Sequence, residues 1–153
     1  MEISNLLAPE AVILRLPVHS KKHAIQEISA VAARQTGMPE REVFDTLLQR
    51  ERLGSTGVGN GIAIPHGKLV GLDKIYGFFF RLAEPIEFEA LDDQPVDLIF
   101  ALLAPEEAGA DHLKALAKIA RVLRTPGMTD ELRNADTATD VFELITRTPA
   151  IAG

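Results

Sequence analysis

The residues of this chain that could do chemistry are concentrated in a glycine-rich stretch, residues 50–68, which contains His66. Five glycines lie in the stretch, and glycine permits positive φ angles and a close approach of the backbone to a ligand. His66 stands between Pro65 and Gly67, and proline favours an extended conformation for the residue before it. We therefore expect a short apolar strand that stops here and presents the imidazole of His66 at its tip.

Other side chains of the sequence have the types that bind an anion. Ser55 and Thr56 offer hydroxyl groups, and the nearby Arg50 offers a guanidinium. His112 follows Asp111, which we predict to be the N-cap of a helix, and helix N-termini attract anions. An accessible imidazole beside an anion site indicates phosphoryl acceptance. An ordinary ligand-binding loop is the alternative.

Other chemistries fit the pattern poorly. Residues 57–61 do not continue into the G-x-G-x-x-G motif of dinucleotide binding, and Leu69 stands where a P-loop needs Ser or Thr. Neither His66 nor His112 belongs to an H-x-x-x-H pair or a similar motif, so we expect no metal and no cofactor. Ser55 does not lie in a G-x-S-x-G motif, which argues against a serine nucleophile.

Length and composition narrow the class of protein. We expect residues 1–153 to form one domain, because this length can bury a substantial core. The formal net charge of −6, without a basic cluster, argues against nucleic-acid partners. No signal peptide and no apolar run of about 20 residues is visible, so we expect no membrane insertion and a cytoplasmic location. The absence of cysteine excludes disulfides and thiolate chemistry.

Helices are predicted before and after the glycine-rich stretch. Ser20 is a candidate N-cap for the first helix, and Gly37 has the position of a glycine that ends it. A second helix begins at Pro39 and brings Arg50 to the start of the stretch. A third begins at Asp111, and two shorter helices are expected around residues 130–134 and 140–146. The third is expected to turn these residues inward: Leu113, Leu116, Ala117, Ala120 and Leu123.

Strands are predicted at residues 12–16, 75–82, 86–88 and 96–103. The last of these is an almost continuous apolar run, which is typical of a central strand covered on both faces. Strands mixed with helices in one chain indicate an α/β fold, a compact sandwich in which helices flank a mixed central β-sheet.

The segment at residues 54–68 reads GSTGVGNGIAIPHGK, and it resembles the signature around the phosphorylated histidine of a known family. The family is the enzyme IIA components of the phosphotransferase system, in the mannitol, fructose and nitrogen-regulatory class. Residues 50–52 (RER) and 111–114 (DHLK) match the same class, and the resemblance covers essentially the whole chain. Within the class, the sequence is most similar to the nitrogen-regulatory branch.

The resemblance implies that Nε2 of His66 accepts a phosphoryl group from the phosphohistidine of an HPr-type phosphocarrier protein. A backbone carbonyl is expected to hold the other ring nitrogen. Members of the nitrogen branch bind regulatory target proteins, such as potassium-transport proteins and kinases, according to their phosphorylation state. The expected site comprises two groups of residues: His66, His112 and Arg50 in catalysis, and Ser55, Thr56 and Gly67 at the phosphate.

Two alternatives remain open at this stage. A sugar-specific enzyme IIA of the fructose or mannitol type would keep the same chemistry and pass the phosphate to a IIB protein. A module that binds an anion or a protein and is never phosphorylated would use the same loop without forming a covalent adduct.

Overall fold

A computed structural model describes residues 2–147 of the chain. After a 3-10 helix at Ile3–Asn5, the strands are β1 (Leu7–Leu16), β2 (Gly57–Gly59), β3 (Ile62–Ala63), β4 (His66–Leu69), β5 (Tyr76–Ile86) and β6 (Val96–Pro105). The helices are α1 (Lys21–Thr36), α2 (Glu40–Leu53), α3 (Ala110–Leu123), α4 (Met128–Asn134) and α5 (Ala138–Arg147). None of these helices has the length and apolar composition needed to span a membrane.

The strands of the described residues form one mixed sheet with the order β1-β5-β6-β3-β2, and β4 also pairs with β6. Strand β6 is antiparallel to β5 and parallel to β3 and β4. The residues of β6 from 98 to 104 are fully buried, as expected for a central strand with helices on both faces. The expected α/β sandwich with a mixed central sheet is confirmed.

The separate strand predicted at residues 86–88 is wrong. Strand β5 continues through Arg81 to Ile86, where it pairs with Val96, so Ile86 is the last residue of a long strand. A register shift between Arg81 and Ile86 interrupts the ladder, and this irregularity explains why the pattern looked like two strands. Strand β1 is also longer than predicted, because it begins at Leu7.

The local structure at the histidine differs from the prediction. Strand β3 ends at Ala63, but the chain resumes pairing with β6 at once, and His66 is the first residue of β4 rather than the tip of a strand. Ile64 and Pro65 form a two-residue break between β3 and β4. The Pro65 carbonyl still accepts a hydrogen bond of 2.9 Å from Leu102 of β6. The break therefore leaves the carbonyl of Ile64 available to a side chain.

Helices α1 and α2 have the ends that the sequence predicts. The Ser20 hydroxyl accepts a hydrogen bond of 3.1 Å from the backbone N–H of His23, and Gly37 follows the helix with a φ of 81°. Pro39 caps α2, whose last turn carries Arg50. The two helices pack on each other, and α2 also packs against β4, which places Arg50 near His66.

Helix α3 corrects two predictions. Its N-cap is Gly109, so Asp111 lies in the first turn and does not cap the helix. The buried face is rotated by about one residue from the predicted one. His112 is buried and the side chain of Leu113 is 66% exposed. Two apolar stripes with helical spacing run along this helix, and the one that contains Ile119 meets the core. These residues form the buried stripe: His112, Ala115, Ile119, Val122 and Leu123.

Helices α4 and α5 are each somewhat longer than predicted. Helix α4 begins earlier than expected, at Met128, and α5 extends beyond the predicted range at both ends. Arg133 of α4 makes two hydrogen bonds of 2.9 Å to the carboxylate of Asp97 and one of 2.8 Å to the carbonyl of Asn60. The bidentate pair therefore holds the turn between β2 and β3 against the end of the sheet.

Candidate phosphoryl-acceptor site

The two ring nitrogens of His66 have different and complementary partners. Nδ1 lies 2.8 Å from the carbonyl oxygen of Ile64, the carbonyl that the break before β4 leaves available. A carbonyl can only accept, so Nδ1 carries the proton. Nε2 accepts a hydrogen bond of 3.3 Å from Nε of Arg50, which can only donate. Both contacts require the same neutral tautomer, with a lone pair on Nε2.

Arg50 is held in place by its own helix end. While its Nε donates to His66, its Nη1 donates to the carbonyl of Gly54 at 2.9 Å. Gly54 has a φ of 156° and stands immediately after α2. The guanidinium is half-buried and is thus fixed between the end of the helix and the imidazole.

His112 lies beside His66, as the family resemblance implies. The ring centroids are 5.5 Å apart and the rings are tilted by 50°. His112 is 7% exposed, and its buried Nδ1 atom has no hydrogen-bond partner among residues 2–147. An unpaired buried polar atom is costly, so this nitrogen is the least satisfied polar group at the site. Its position in the first turn of α3 adds the positive end of the helix dipole.

Burial holds the pKa of both histidines below the ordinary value of 6.5. For His66, burial is the main cause that lowers the pKa, and the positive charge of Arg50 lowers it further. The hydrogen bond from Nδ1 to the Ile64 carbonyl and the negative charge of Glu51 act in the opposite direction and raise the pKa. For His112, burial again comes first, followed by the charges of His66 and Lys68. Both rings are therefore neutral at pH 7, and His66 keeps a lone pair that can attack phosphorus.

The hydroxyl groups of the loop already have partners. Ser55 donates to the carbonyl of Phe88 at 2.7 Å and accepts from the N–H of Gly57 at 3.0 Å. Thr56 is buried and donates its hydroxyl proton to the carboxylate of Glu51. In this structure both side chains shape the loop. Their contact with a phosphate stays a prediction.

Gly67 has a clear steric reason to be glycine. A Cβ at this position would lie 2.5 Å from Cγ2 of Thr46 on α2. The absence of a side chain thus lets α2 approach β4, which is the contact that brings Arg50 to His66. Phosphate binding by Gly67 likewise stays a prediction.

Sequence reasoning missed two features of the site. The first is Glu51, a charged residue whose side chain is only 2% exposed and which forms an ion pair of 3.0 Å with Lys21. Its position directly after Arg50, with Thr56 five residues later, was the available signal. The second is a pair of exposed apolar side chains on the helices that carry Arg50 and His112: Leu53, at 85% exposure, and Leu113, at 66%.

The arrangement suits the transfer of an anionic group. Across residues 2–147, no cluster of three or more metal-ligating side chains is found. A neutral nucleophile, a fixed guanidinium and a helix N-terminus together can receive a group that spreads negative charge over several oxygens.

A family model described as "Phosphoenolpyruvate-dependent sugar phosphotransferase system, EIIA 2" matches residues 5–148. The chain belongs to this EIIA family. It is therefore a phosphotransfer component of the phosphotransferase system, and the resemblance seen in the sequence is confirmed.

Relatives place the chain in the nitrogen-regulatory branch of the EIIA family. It is 57% identical over 152 residues to the nitrogen regulatory protein of Bradyrhizobium diazoefficiens, with 99% of each chain covered. It is 42% identical over 149 residues to the nitrogen regulatory protein of Escherichia coli, covering 97% of this chain and 91% of that one. The crystal structure of the nitrogen regulatory protein IIA-Ntr from Neisseria meningitidis superposes with a TM-score of 0.90 at 38% identity, covering 94% of this chain and 99% of that one.

Proposed function

We propose that this EIIA protein accepts a phosphoryl group on Nε2 of His66 from the phosphohistidine of an HPr-type phosphocarrier. The observation that carries the proposal is the pair of opposed hydrogen bonds on one ring. The Ile64 carbonyl holds the proton on Nδ1, and Arg50 stands at the lone pair of Nε2. A ring fixed in this tautomer needs no base to become a nucleophile.

In the proposed step, the Nε2 lone pair of His66 forms the new N–P bond while the N–P bond of the donor breaks. The electron pair of the broken bond returns to the imidazole of the donor. The ring of His66 gains positive character as it bonds to phosphorus, and the Ile64 carbonyl stabilises this charge through the Nδ1 proton. No proton has to be transferred during the step.

The charge on the phosphoryl oxygens would be met by groups already at the site. Arg50 donates to Nε2 before transfer, and after transfer it would donate instead to the oxygens of the phosphoryl group on Nε2. This change needs only a small movement of the guanidinium. A second group is the buried Nδ1 of His112, which has no partner among the described residues and whose ring is next to that of His66. The N-terminus of α3, which carries His112, is the third. We assign His112 the role of orienting the phosphoryl group.

The donor would dock on the apolar side chains next to the histidines. Leu53 projects from the last turn of α2, three residues after Arg50, and Leu113 projects from α3 next to His112. The two leucines are separate, exposed apolar groups near a half-buried nucleophile. They suit a small and short-lived contact that excludes water during transfer.

We propose further that the phosphorylation state of His66 controls the binding of regulatory target proteins connected with nitrogen and potassium. The support is the assignment of the chain to the nitrogen-regulatory branch. A phosphoryl group adds up to about two negative charges to a chain that already carries a net charge of −6. A target that covers His66 in its unmodified state would meet this uncompensated charge and dissociate.

The test is incubation with phosphoenolpyruvate, enzyme I and an HPr-type carrier, followed by intact-mass measurement. One phosphoryl group should appear on the wild-type chain and none on the His66→Ala variant, with His23→Ala as a matched control that is labelled normally. Labelling of His66→Ala at the wild-type level would remove His66 from its role. A wild-type chain that binds the carrier without gaining mass would favour the binding module that is never phosphorylated.

A second candidate function is that of a sugar-specific EIIA. The chain is 34% identical over 145 residues to the fructose-specific EIIA component of Haloferax volcanii, and 94% of each chain is covered. The chemistry at His66 would be the same, and only the acceptor of the phosphoryl group would differ. Rapid transfer from the phosphorylated chain to a fructose-type IIB protein would favour this candidate, and the absence of transfer would favour the regulatory one.

A further inference from the structure

Glu51 is a buried carboxylate next to the site whose role the proposed transfer step does not explain. It follows Arg50 on α2, but its side chain is only 2% exposed and lies on the other side of the helix end, against Lys21 and Thr56. A buried charge is tolerated only where its partners offset the loss of water. The partners of Glu51 therefore show what it holds in place.

The carboxylate of Glu51 fixes the loop that follows α2. One oxygen accepts a hydrogen bond of 3.1 Å from the backbone N–H of Thr56, and the other accepts the Thr56 hydroxyl. Lys21, at the start of α1, completes the set with an ion pair of 3.0 Å. The same lysine also reaches the exposed Glu89 at 3.2 Å. The charge of Glu51 is thus fully paired, and each partner belongs to a different part of the chain.

The same loop positions Arg50. The N–H of Gly54 donates to the backbone carbonyl of Glu51 at 3.1 Å, and the carbonyl of Gly54 accepts Nη1 of Arg50 at 2.9 Å. Glu51 therefore holds residues 54–56 at both ends, through its backbone at Gly54 and through its side chain at Thr56. With that loop fixed, the Gly54 carbonyl orients the guanidinium so that its Nε points at Nε2 of His66.

We propose that Glu51 is a positioning residue for the phosphoryl-acceptor site, and that it acts by fixing the loop whose Gly54 carbonyl holds the guanidinium of Arg50 on Nε2 of His66. This inference rests on the proposed function for its kinetic consequence. Its structural consequence, the fixed orientation of Arg50, can be measured without any phosphoryl transfer. The competing role is a stabilising ion pair between α1 and α2 with no effect on Arg50.

The test uses Glu51→Gln, which keeps the size of the side chain and removes its charge. The variant is expected to fold, because Lys21 keeps its partner Glu89. We expect transfer from the phosphorylated HPr-type carrier to slow about tenfold in kcat at nearly unchanged KM, which corresponds to about 1.4 kcal/mol. We also expect the NMR signal of the Arg50 Nε–H proton, shifted and protected in the wild type by its bond to His66, to move towards the position of a solvated arginine.

Glu89→Gln is the matched control, because it removes the exposed partner of the same lysine (76% exposed) and should change neither readout. The proposal stands if Glu51→Gln changes both readouts and Glu89→Gln changes neither. It is overturned if the Arg50 signal keeps its wild-type position, whatever the rate, or if the signal moves and the rate stays the same.

The role of Glu51 can still be decided if the variant does not fold or if the wild-type chain is not phosphorylated. If circular dichroism shows that Glu51→Gln does not fold, Thr56→Val takes its place, since it removes the hydroxyl that Glu51 holds and leaves the ion pair with Lys21. Both readouts should then change in the same direction. If the wild-type chain is not labelled by any HPr-type carrier, the proposed function fails, and the Arg50 signal alone decides whether Glu51 positions the guanidinium.

Discussion

Replacement of Arg50 by Gln is the perturbation that most directly separates electrostatic stabilisation from simple geometry at the site. The substitution removes the charge and the Nε–H that lies 3.3 Å from Nε2 of His66. A phosphorus atom bonded to that nitrogen places its oxygens within reach of the same guanidinium. Removal of one such donor typically costs about 10²–10³-fold in kcat, or about 2.7–4 kcal/mol. We expect a loss in this range for transfer from the phosphorylated carrier.

The same variant should change the pH dependence of the rate with a definite sign. Transfer requires neutral His66, whose pKa lies below 6.5 chiefly through burial and in part through the charge of Arg50. In the wild type, the rate should therefore hold down to a pH below 6.5 and fall only as the ring becomes protonated. Loss of the arginine charge removes one of the causes that lower the pKa, so the acid limb of the profile should move to higher pH in Arg50→Gln.

The assay is rapid-quench transfer from the radiolabelled carrier between about pH 5 and pH 9. Arg52→Gln is the matched control, because Arg52 is an exposed arginine of the same helix turn, and its variant should behave like the wild type. A loss of less than threefold in Arg50→Gln, or an acid limb that moves to lower pH, would refute the assignment of Arg50 to the developing charge.

Three further predictions concern neighbouring side chains. His112→Ala should slow transfer by about 10²-fold with a wild-type circular dichroism spectrum, because it removes a group that orients the phosphoryl oxygens; an unchanged rate constant would exclude that role. Gly67→Ala should lower the free energy of unfolding by about 1–3 kcal/mol, since its Cβ would lie 2.5 Å from Cγ2 of Thr46. Thr46→Ala should restore most of that loss in urea titrations, and no recovery would contradict the steric explanation. Leu113→Asp should raise KM for the phosphorylated carrier at least tenfold with little change in kcat, whereas an unchanged KM would place the docking surface elsewhere.

The parts of the site that could be predicted from sequence are those encoded by local chemistry. Arg50 at the end of α2 and His66 after Pro65 stand at the two ends of an unusual glycine-rich stretch, and the structure brings their side chains to 3.3 Å from each other. Ser20 and Gly37 bound α1 as capping preferences predict, since both act within a few residues. The central position of β6 followed from its continuous apolar run.

The predictions that failed depended on contacts distant in the chain. Which stripe of α3 is buried, with His112 inward and Leu113 outward, is decided by the sheet and not by helical spacing. Pairing of β4 with β6 continues the strand at His66, although Pro65 suggested that it stops there. The burial of Glu51 depends on Lys21, which lies 30 residues earlier, and the position of Glu51 beside Arg50 does not by itself reveal that ion pair.

The central claim is that Nε2 of His66 receives the phosphoryl group because the Ile64 carbonyl holds the proton on Nδ1. NMR of the phosphorylated chain with ¹⁵N-labelled histidine tests it directly, since coupling to ³¹P identifies the nitrogen that bears phosphorus. We predict coupling to Nε2 of His66, with Nδ1 still protonated. Phosphorus on Nδ1, or on any residue other than His66, would contradict the account.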